Sequence, residues 1–198
     1  MAAPDNFLAG VLGARSSSGG RVFEPQKSNA GTLRINMGGS FGANDDLVLS
    51  LASFPLPKNE TEQSSIAYLN ERRKFAGSTS YADMSVNFHD YVDRKTLAAL
   101  WAWRLYIHDP RTGKRGFKSV YAKSATIDVY GPNGSSDQVM TYIVEGVWPR
   151  GLDPGDIDYT SDEPVRVSVP FSIDRAYPDP DSTLGATIFA EVNKAQGT

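Results

Sequence analysis

A glycine-flanked serine, two histidines and a run of carboxylates are the residues of this 198-residue chain whose types and spacing could do chemistry. Gly38-Gly39-Ser40-Phe41-Gly42 matches the nucleophile-elbow pattern, which needs the serine on a sharp turn from a strand into a helix, followed in chain order by an acid and a histidine. Here the segment leads into LVLSLASF (47–54), which reads as a strand, so the hydrolase reading lacks its scaffold. His89 and His108 have no second histidine at ligand spacing, and the chain has no cysteine. That excludes thiol chemistry, a disulfide framework and a multi-histidine zinc site. Asp153, Asp156, Asp158, Asp162 and Glu163 lack the acid-x-acid-x-acid-Gly spacing and the closing bidentate glutamate of a calcium loop. Neither a GxGxxG fingerprint nor a P-loop is present. The expectation is a protein that is not an enzyme, with no catalytic, cofactor or metal site.

Composition points to a soluble globular protein: 40% of the residues are hydrophobic and 22% charged. No apolar run approaches the roughly 18–20 residues that span a bilayer, and the first twenty residues lack the basic leader of a secretory signal. The net charge of −3 argues against a general nucleic-acid binder. Its distribution is more informative. Over 94–123, Arg94, Lys95, Arg104, Arg111, Lys114, Arg115, Lys118 and Lys123 stand against Asp109 alone. Over 151–198, Asp153, Asp156, Asp158, Asp162, Glu163, Asp174, Asp179, Asp181 and Glu191 stand against Arg166, Arg175 and Lys194. Two such ends are either solvated faces or complementary patches that meet in a neighbouring copy. Arg111, Lys114 and Arg115 against Asp153, Asp156 and Asp158 are the expected pairings.

The elements that must position these groups are mostly strands. Glycines and serines dominate 1–31, which reads as an N-terminal arm ahead of a domain over 32–177, with 178–198 a C-terminal extension. LRINM (33–37), LVLSLASF (47–54), YADMSVNF (81–88), SVYAKSATIDVY (119–130), QVMTYIVEGVW (138–148) and VRVSVPFSI (165–173) have strand character. Pro170 suggests that the last is an edge or kinked strand, and GPNGSS (131–136) reads as a hairpin connection. Between Pro57 and Tyr81 lies a long polar segment whose only early apolar anchors are Ile66, Tyr68 and Leu69. A loop of that length commonly pairs with something outside its domain, which makes Asn59, Glu60 and Glu62 candidate interface residues.

One helix is evident at about 94–106, capped by Asp93 and stopped before Asp109-Pro110. Leu97, Leu100, Trp101 and Leu105 form its expected buried stripe, with Trp148 and Phe171 on the strands it covers. Trp103 falls off that stripe, so it covers a sheet edge or meets another subunit. The order strands, one helix, strands excludes an alternating βαβ protein.

From the helix onward the chain resembles the tail tube proteins of contractile-tailed phages and related contractile injection systems. The marks are Leu100-Trp101-Ala102-Trp103-Arg104, the Asp109-Pro110-x-Thr112-Gly113 turn, Val147-Trp148-Pro149, the loop Asp153-Pro154-Gly155-Asp156-Ile157-Asp158-Tyr159, and Phe171-Ser172-Ile173-Asp174-Arg175-Ala176. The resemblance implies a mainly β fold, an antiparallel β-sandwich or partly open barrel with one flanking α-helix. It further implies hexameric rings stacked into a tube, inner strands of neighbours continuing one barrel, and sheath, baseplate and tape-measure partners. DNA would pass through the lumen without specific binding, in the tail of a virion assembled in the host cytoplasm. The inner tube of an injection system is the alternative within the same machinery. A nucleic-acid-binding module built on 94–123 is the alternative of a different class.

Overall fold

The computed structural model describes residues 26, 28–38, 44–131, 138–157, 159–160 and 163–196. Backbone proximity separates Met1–Ala30 from Gly31–Thr198. The arm expected over 1–31 therefore lies almost wholly outside the described residues, as do Ser40 and most of the 131–136 connection.

The chain over Gly31–Thr198 forms β1 (Gly31–Asn36), α1 (Asn44–Leu49), β2 (Leu51–Ser53), β3 (Asn59–Tyr68), β4 (Glu71–Tyr81), β5 (Met84–His89), α2 (Lys95–Ile107) and α3 (Lys118–Tyr121). It continues through β6 (Lys123–Tyr130), β7 (Gln138–Pro149), β8 (Arg166–Ser172), β9 (Arg175–Pro178) and α4 (Thr183–Gln196). Every strand pairing is antiparallel. Seven strands make one sheet in the order β1-β6-β7-β8-β5-β2, with β9 pairing β7, while β3 and β4 form a separate two-stranded sheet. The large sheet does not close: β1 and β2 are left at its edges.

Alternation sets the core face. Met84, Val86 and Phe88 of β5 lie opposite Phe171, Val169 and Val167 of β8, and all six are buried. Leu33 and Ile35 of β1 face Ile127 and Ala125 of β6 in the same way. On β7 the alternation breaks, because Val144 and Val147 are both buried. Gly146 between them has φ 71°, and the register shifts so that Val144 faces Ala125 while Val147 faces Lys123. A β-carbon there would lie 2.3 Å from the Asp174 carboxyl carbon, so glycine serves both the bulge and the close approach.

Several expectations need correcting. LVLSL begins as helix, not strand: α1 runs to Leu49 and only Leu51–Ser53 pairs with β5. Apolar residues in succession do not distinguish a short helix from a buried strand. Lys118–Tyr121 is a helical turn ahead of β6. β8 is internal rather than an edge, with β5 on one side and the end of β7 on the other. Pro170 is tolerated because it faces the segment beyond β7, where its carbonyl accepts from Arg150 N at 2.8 Å and no donor is needed.

The helix expected at 94–106 spans Lys95–Ile107; Leu97 and Leu100 are buried as expected, but Trp103 rather than Trp101 completes the buried face. Thr96, Leu97, Leu100 and Trp103 are buried, Leu105 is half-buried, and Trp101 is 43% exposed. Trp103 is wholly buried, its ring centroid 5.7 Å from that of Phe171 and its Nε1 donating to Tyr121 O at 2.8 Å. Nearly every position of the helix is apolar or alanine, so two stripes compete. Burial goes to the indole whose N–H finds an acceptor. Trp148 is half-buried, edge-on to Tyr121 at 5.9 Å, and Phe171 is in the core. Asp93 stands before the helix start, its Oδ1 3.4 Å from Lys95 N, while Arg94 takes a left-handed φ of 50°.

β9 is tied to β7 by Arg175 opposite Glu145. The Arg175 guanidinium and then the Tyr177 hydroxyl, which donates at 2.9 Å, hold the Glu145 carboxyl below its ordinary range. A lowered folded-state value means that the pairing contributes in full above the ordinary pKa and is lost as pH falls through the lowered one.

Two outcomes test this packing. Trp103→Ala lowers unfolding stability by about 3–5 kcal/mol, whereas Trp101→Ala changes it by less than about 0.5 kcal/mol, both measured by denaturant unfolding. Glu145→Gln is less stable than the wild type at neutral pH, and melting curves on acidification close that gap below pH 4.5, the ordinary value for the group. A gap that persists in acid contradicts the assignment.

Candidate assembly surfaces

The expected loop between Pro57 and Tyr81 is a β-hairpin. Strands of this length extend about 33 Å at ~3.3 Å per residue, and every residue from Asn59 to Ser80 is exposed. Tyr81 packs against the core at its base. Ile66, Tyr68 and Leu69 do not anchor the segment to the domain, contrary to expectation; all are exposed. Register places Ile66 opposite Arg73, Ser64 opposite Phe75 and Tyr68 opposite Glu71, so Ile66, Tyr68 and Phe75 share one face. Arg73 lies over the Tyr68 ring at 5.1 Å. Leu69 at the tip is 90% exposed with φ 53°. A leucine in the left-handed region costs about 1–2 kcal/mol. A two-stranded hairpin is marginally stable alone in water, and this one leaves its apolar face uncovered.

The expected interface residues fall into three places. Asn59, Glu60 and Glu62 start β3 near the hairpin base, where Glu62 Oε2 accepts from Ser78 Oγ at 3.1 Å. Arg111, Lys114 and Arg115 follow α2. Asp109 organises that turn, accepting from Arg111 N at 2.9 Å and Thr112 Oγ1 at 3.1 Å. The Arg111 backbone and guanidinium hold the Asp109 carboxyl below its usual range, so Arg111 is partly engaged within its own turn. Gly113 closes the turn with φ 70°. Asp153 and Asp156 are exposed in the loop after β7, and Asp158 lies outside the described residues. The Asp153 backbone pairs with Ser168 through two hydrogen bonds of 2.9 Å.

The 178–198 extension contains α4, on which Leu184, Ile188 and Val192 are exposed at intervals of four and share a face. Trp101 and Tyr106 of α2, Phe117 ahead of α3, and Ile157 and Tyr159 of the acidic loop are also exposed. Patterns of polar residues pointed to the hairpin base and the charged turns; the exposed aromatics were missed because apolar residues at helical or strand spacing read as core.

Among the described residues no group of three or more His, Cys, Asp or Glu side chains could hold a metal ion. No helix among them is long and apolar enough to cross a membrane. His89 ends β5, its N–H bonded to Ser50 O at 2.6 Å, and His108 follows α2 in a bridge to Arg115. An open cleft of about 760 Å³ beside β1 and β6 is lined by Arg34, Ile35, Asn36, Val48, Leu49, Ser124, Ala125 and Thr126. Among the described residues its lining pairs no nucleophile with a base.

None of the curated proteins matches this chain in sequence. Among solved structures, the fold is similar to the tube-terminating cap of the anti-feeding prophage, with a TM-score of 0.62 and 14% identity over 84% of this chain and 98% of that one. It is similar to a chain of the PVC sheath–tube complex of an extracellular contractile injection system (TM-score 0.56, 15% identity, 78% and 91% covered). The sheath/tube terminator of that system has a TM-score of 0.61 at 13% identity, with 79% and 97% covered. At these identities the likeness is one of fold. The family model described as phage tail tube protein matches residues 23–177. The match takes in the sheet up to Tyr177 of β9, the hairpin and α2, and the chain belongs to the phage tail tube protein family.

Proposed function

We propose that the chain is the repeating structural subunit of a tail tube, with the domain over 32–177 closing into hexameric rings that stack into a conduit for DNA. The observation that carries this reading is the β3–β4 hairpin, a long element that exposes Ile66, Tyr68 and Phe75 on one face with no described residue covering them. An exposed apolar face of this kind marks a protein interaction site. The open edges at β1 and β2 add to it: an edge strand offers unpaired backbone groups that a neighbour's strand can satisfy. Head-to-tail contacts of this type make a ring when the rotation closes.

The function is structural rather than catalytic. Sheath, baseplate and tape-measure proteins are the partners this role requires, and a virion tail is its location. The duplex slides freely only if the lumen is acidic or neutral, since rings of lysine or arginine would retain it by counterion release. The inner tube of a contractile injection system is a second reading, favoured by the fold likeness to parts of such systems. Nuclease-protected DNA in purified particles separates the two.

Electron microscopy of the purified protein tests the core of the proposal: rings or tubes are expected, and a monomer at all concentrations contradicts it. Deleting Asn59–Gln63 leaves a folded monomer that forms no tubes. Leu69→Gly relieves the tip backbone, keeps or raises monomer stability, and weakens stacking. Normal tubes from both variants would remove the hairpin from the interface. Lys114→Glu with Arg115→Glu slows tube growth at low salt, followed by light scattering, and Asp156→Lys with Asp158→Lys restores it. Wild-type growth in the first variant would mean that the two patches are only solvated.

A further inference from the structure

Helix α2 is apolar on both sides. Thr96, Leu100 and Trp103 face the core, and on the opposite side Ala98, Trp101, Ala102 and Leu105 follow one another at i, i+3, i+4 and i+7. Trp101, Ala98 and Ala102 are exposed, and Leu105 is half-buried. A helix hydrophobic all round is normally buried all round, and no described residue covers Ala98, Trp101 and Ala102 on the outward side of α2. Two alanines beside the indole let a partner's side chain come close to the helix. Lys114 and Arg115, just beyond the helix, form no ion pair with a described residue.

A second surface has the complementary character. In the loop after β7, Ile157 is 68% and Tyr159 100% exposed, beside Asp153 and Asp156. The loop is held at its base. Asp153 pairs with Ser168, Asp153 Oδ1 accepts from Gly155 N at 3.1 Å, and Gly155 at φ 75° leaves no room for a β-carbon, which would lie 2.5 Å from Arg166 O. Such a base fixes where the loop leaves the sheet at Asp153–Gly155.

We infer that the outward face of α2 is a docking surface for a second copy of this chain, which inserts Ile157 and Tyr159 against Trp101 while Asp156 meets Lys114 and Arg115 at the rim. An apolar centre within a charged rim is the usual anatomy of a specific interface. Two different surfaces of opposite sign make the contact head-to-tail rather than two-fold, because α2 against α2 would oppose like charges. Charge also decides against the hairpin tip as occupant, since Arg72, Arg73 and Lys74 would approach a basic rim. The inference rests on the tube reading and names which surface of each subunit holds its neighbour.

Because the chain has no cysteine, introduced thiols report one contact at a time. Ala102→Cys and Asp156→Cys chains are mixed at assembly concentration and treated with a short bis-maleimide. A covalent dimer formed in the mixture, and in neither variant alone, supports the contact; the double variant then gives a ladder up to the ring number. Trp101→Ala on the full chain raises the concentration needed for tubes by about tenfold or more, as loss of a central interface aromatic does. If micrographs show tubes but the mixture stays monomeric on a denaturing gel, and Trp101→Ala assembles at the wild-type concentration, this inference is wrong and the tube reading stands. If neither the wild type nor any variant assembles, the tube reading fails and this contact fails with it.

Discussion

Trp103 sits where the two halves of the sheet and their covering helix come together. Its ring packs against Phe171 of β8, and its N–H reaches the Tyr121 carbonyl just before β6 begins. That single side chain fixes the rotation of α2 about its own axis. The rotation in turn decides that Leu100 goes inward and Trp101 outward. Buried aromatic groups contribute through both area and a satisfied polar handle, and Trp103 has both. Tyr121 is fixed by the same arrangement and closes on Trp148 from the other side.

A well-packed core contrasts with the parts of the chain that have no cover. The hairpin, the outward side of α2 and the stripe on α4 all expose apolar side chains, and β1 and β2 each have a single strand partner among the described residues. A monomer that folds alone minimises such surface. A subunit of an assembly distributes its burial between folding and association, and under the proposed tube reading the sheet serves folding while the projections serve association.

Charge is divided in the same way. Within the domain, cations and carboxylates pair across elements, as in Lys118 with Asp174, Arg150 with Asp83 and Arg175 with Glu145. These pairs are largely exposed and each contributes little to folding. Lys114 and Arg115 on one surface and Asp156 on another form no ion pair with a described residue, and in the proposed tube complementary sign would set register and encounter rate.

The mainly β character, the position of α2 and the apolar faces of β5 and β8 were legible in the sequence alone, because alternation along a strand maps directly onto one face of a sheet. The absence of cysteine and the isolation of the histidines likewise settled which chemistries were out of reach. Three matters were decided only by tertiary structure. The polar segment after Pro57 became a hairpin because each strand finds its hydrogen-bond partner in the other, a relation across the chain that local polarity does not encode. LVLSL divided into helix and a short strand because only Leu51–Ser53 reaches β5. Trp103 was buried in place of Trp101 because a helix apolar on every side has no preferred face of its own, and its rotation is set by the acceptor and ring waiting on the sheet.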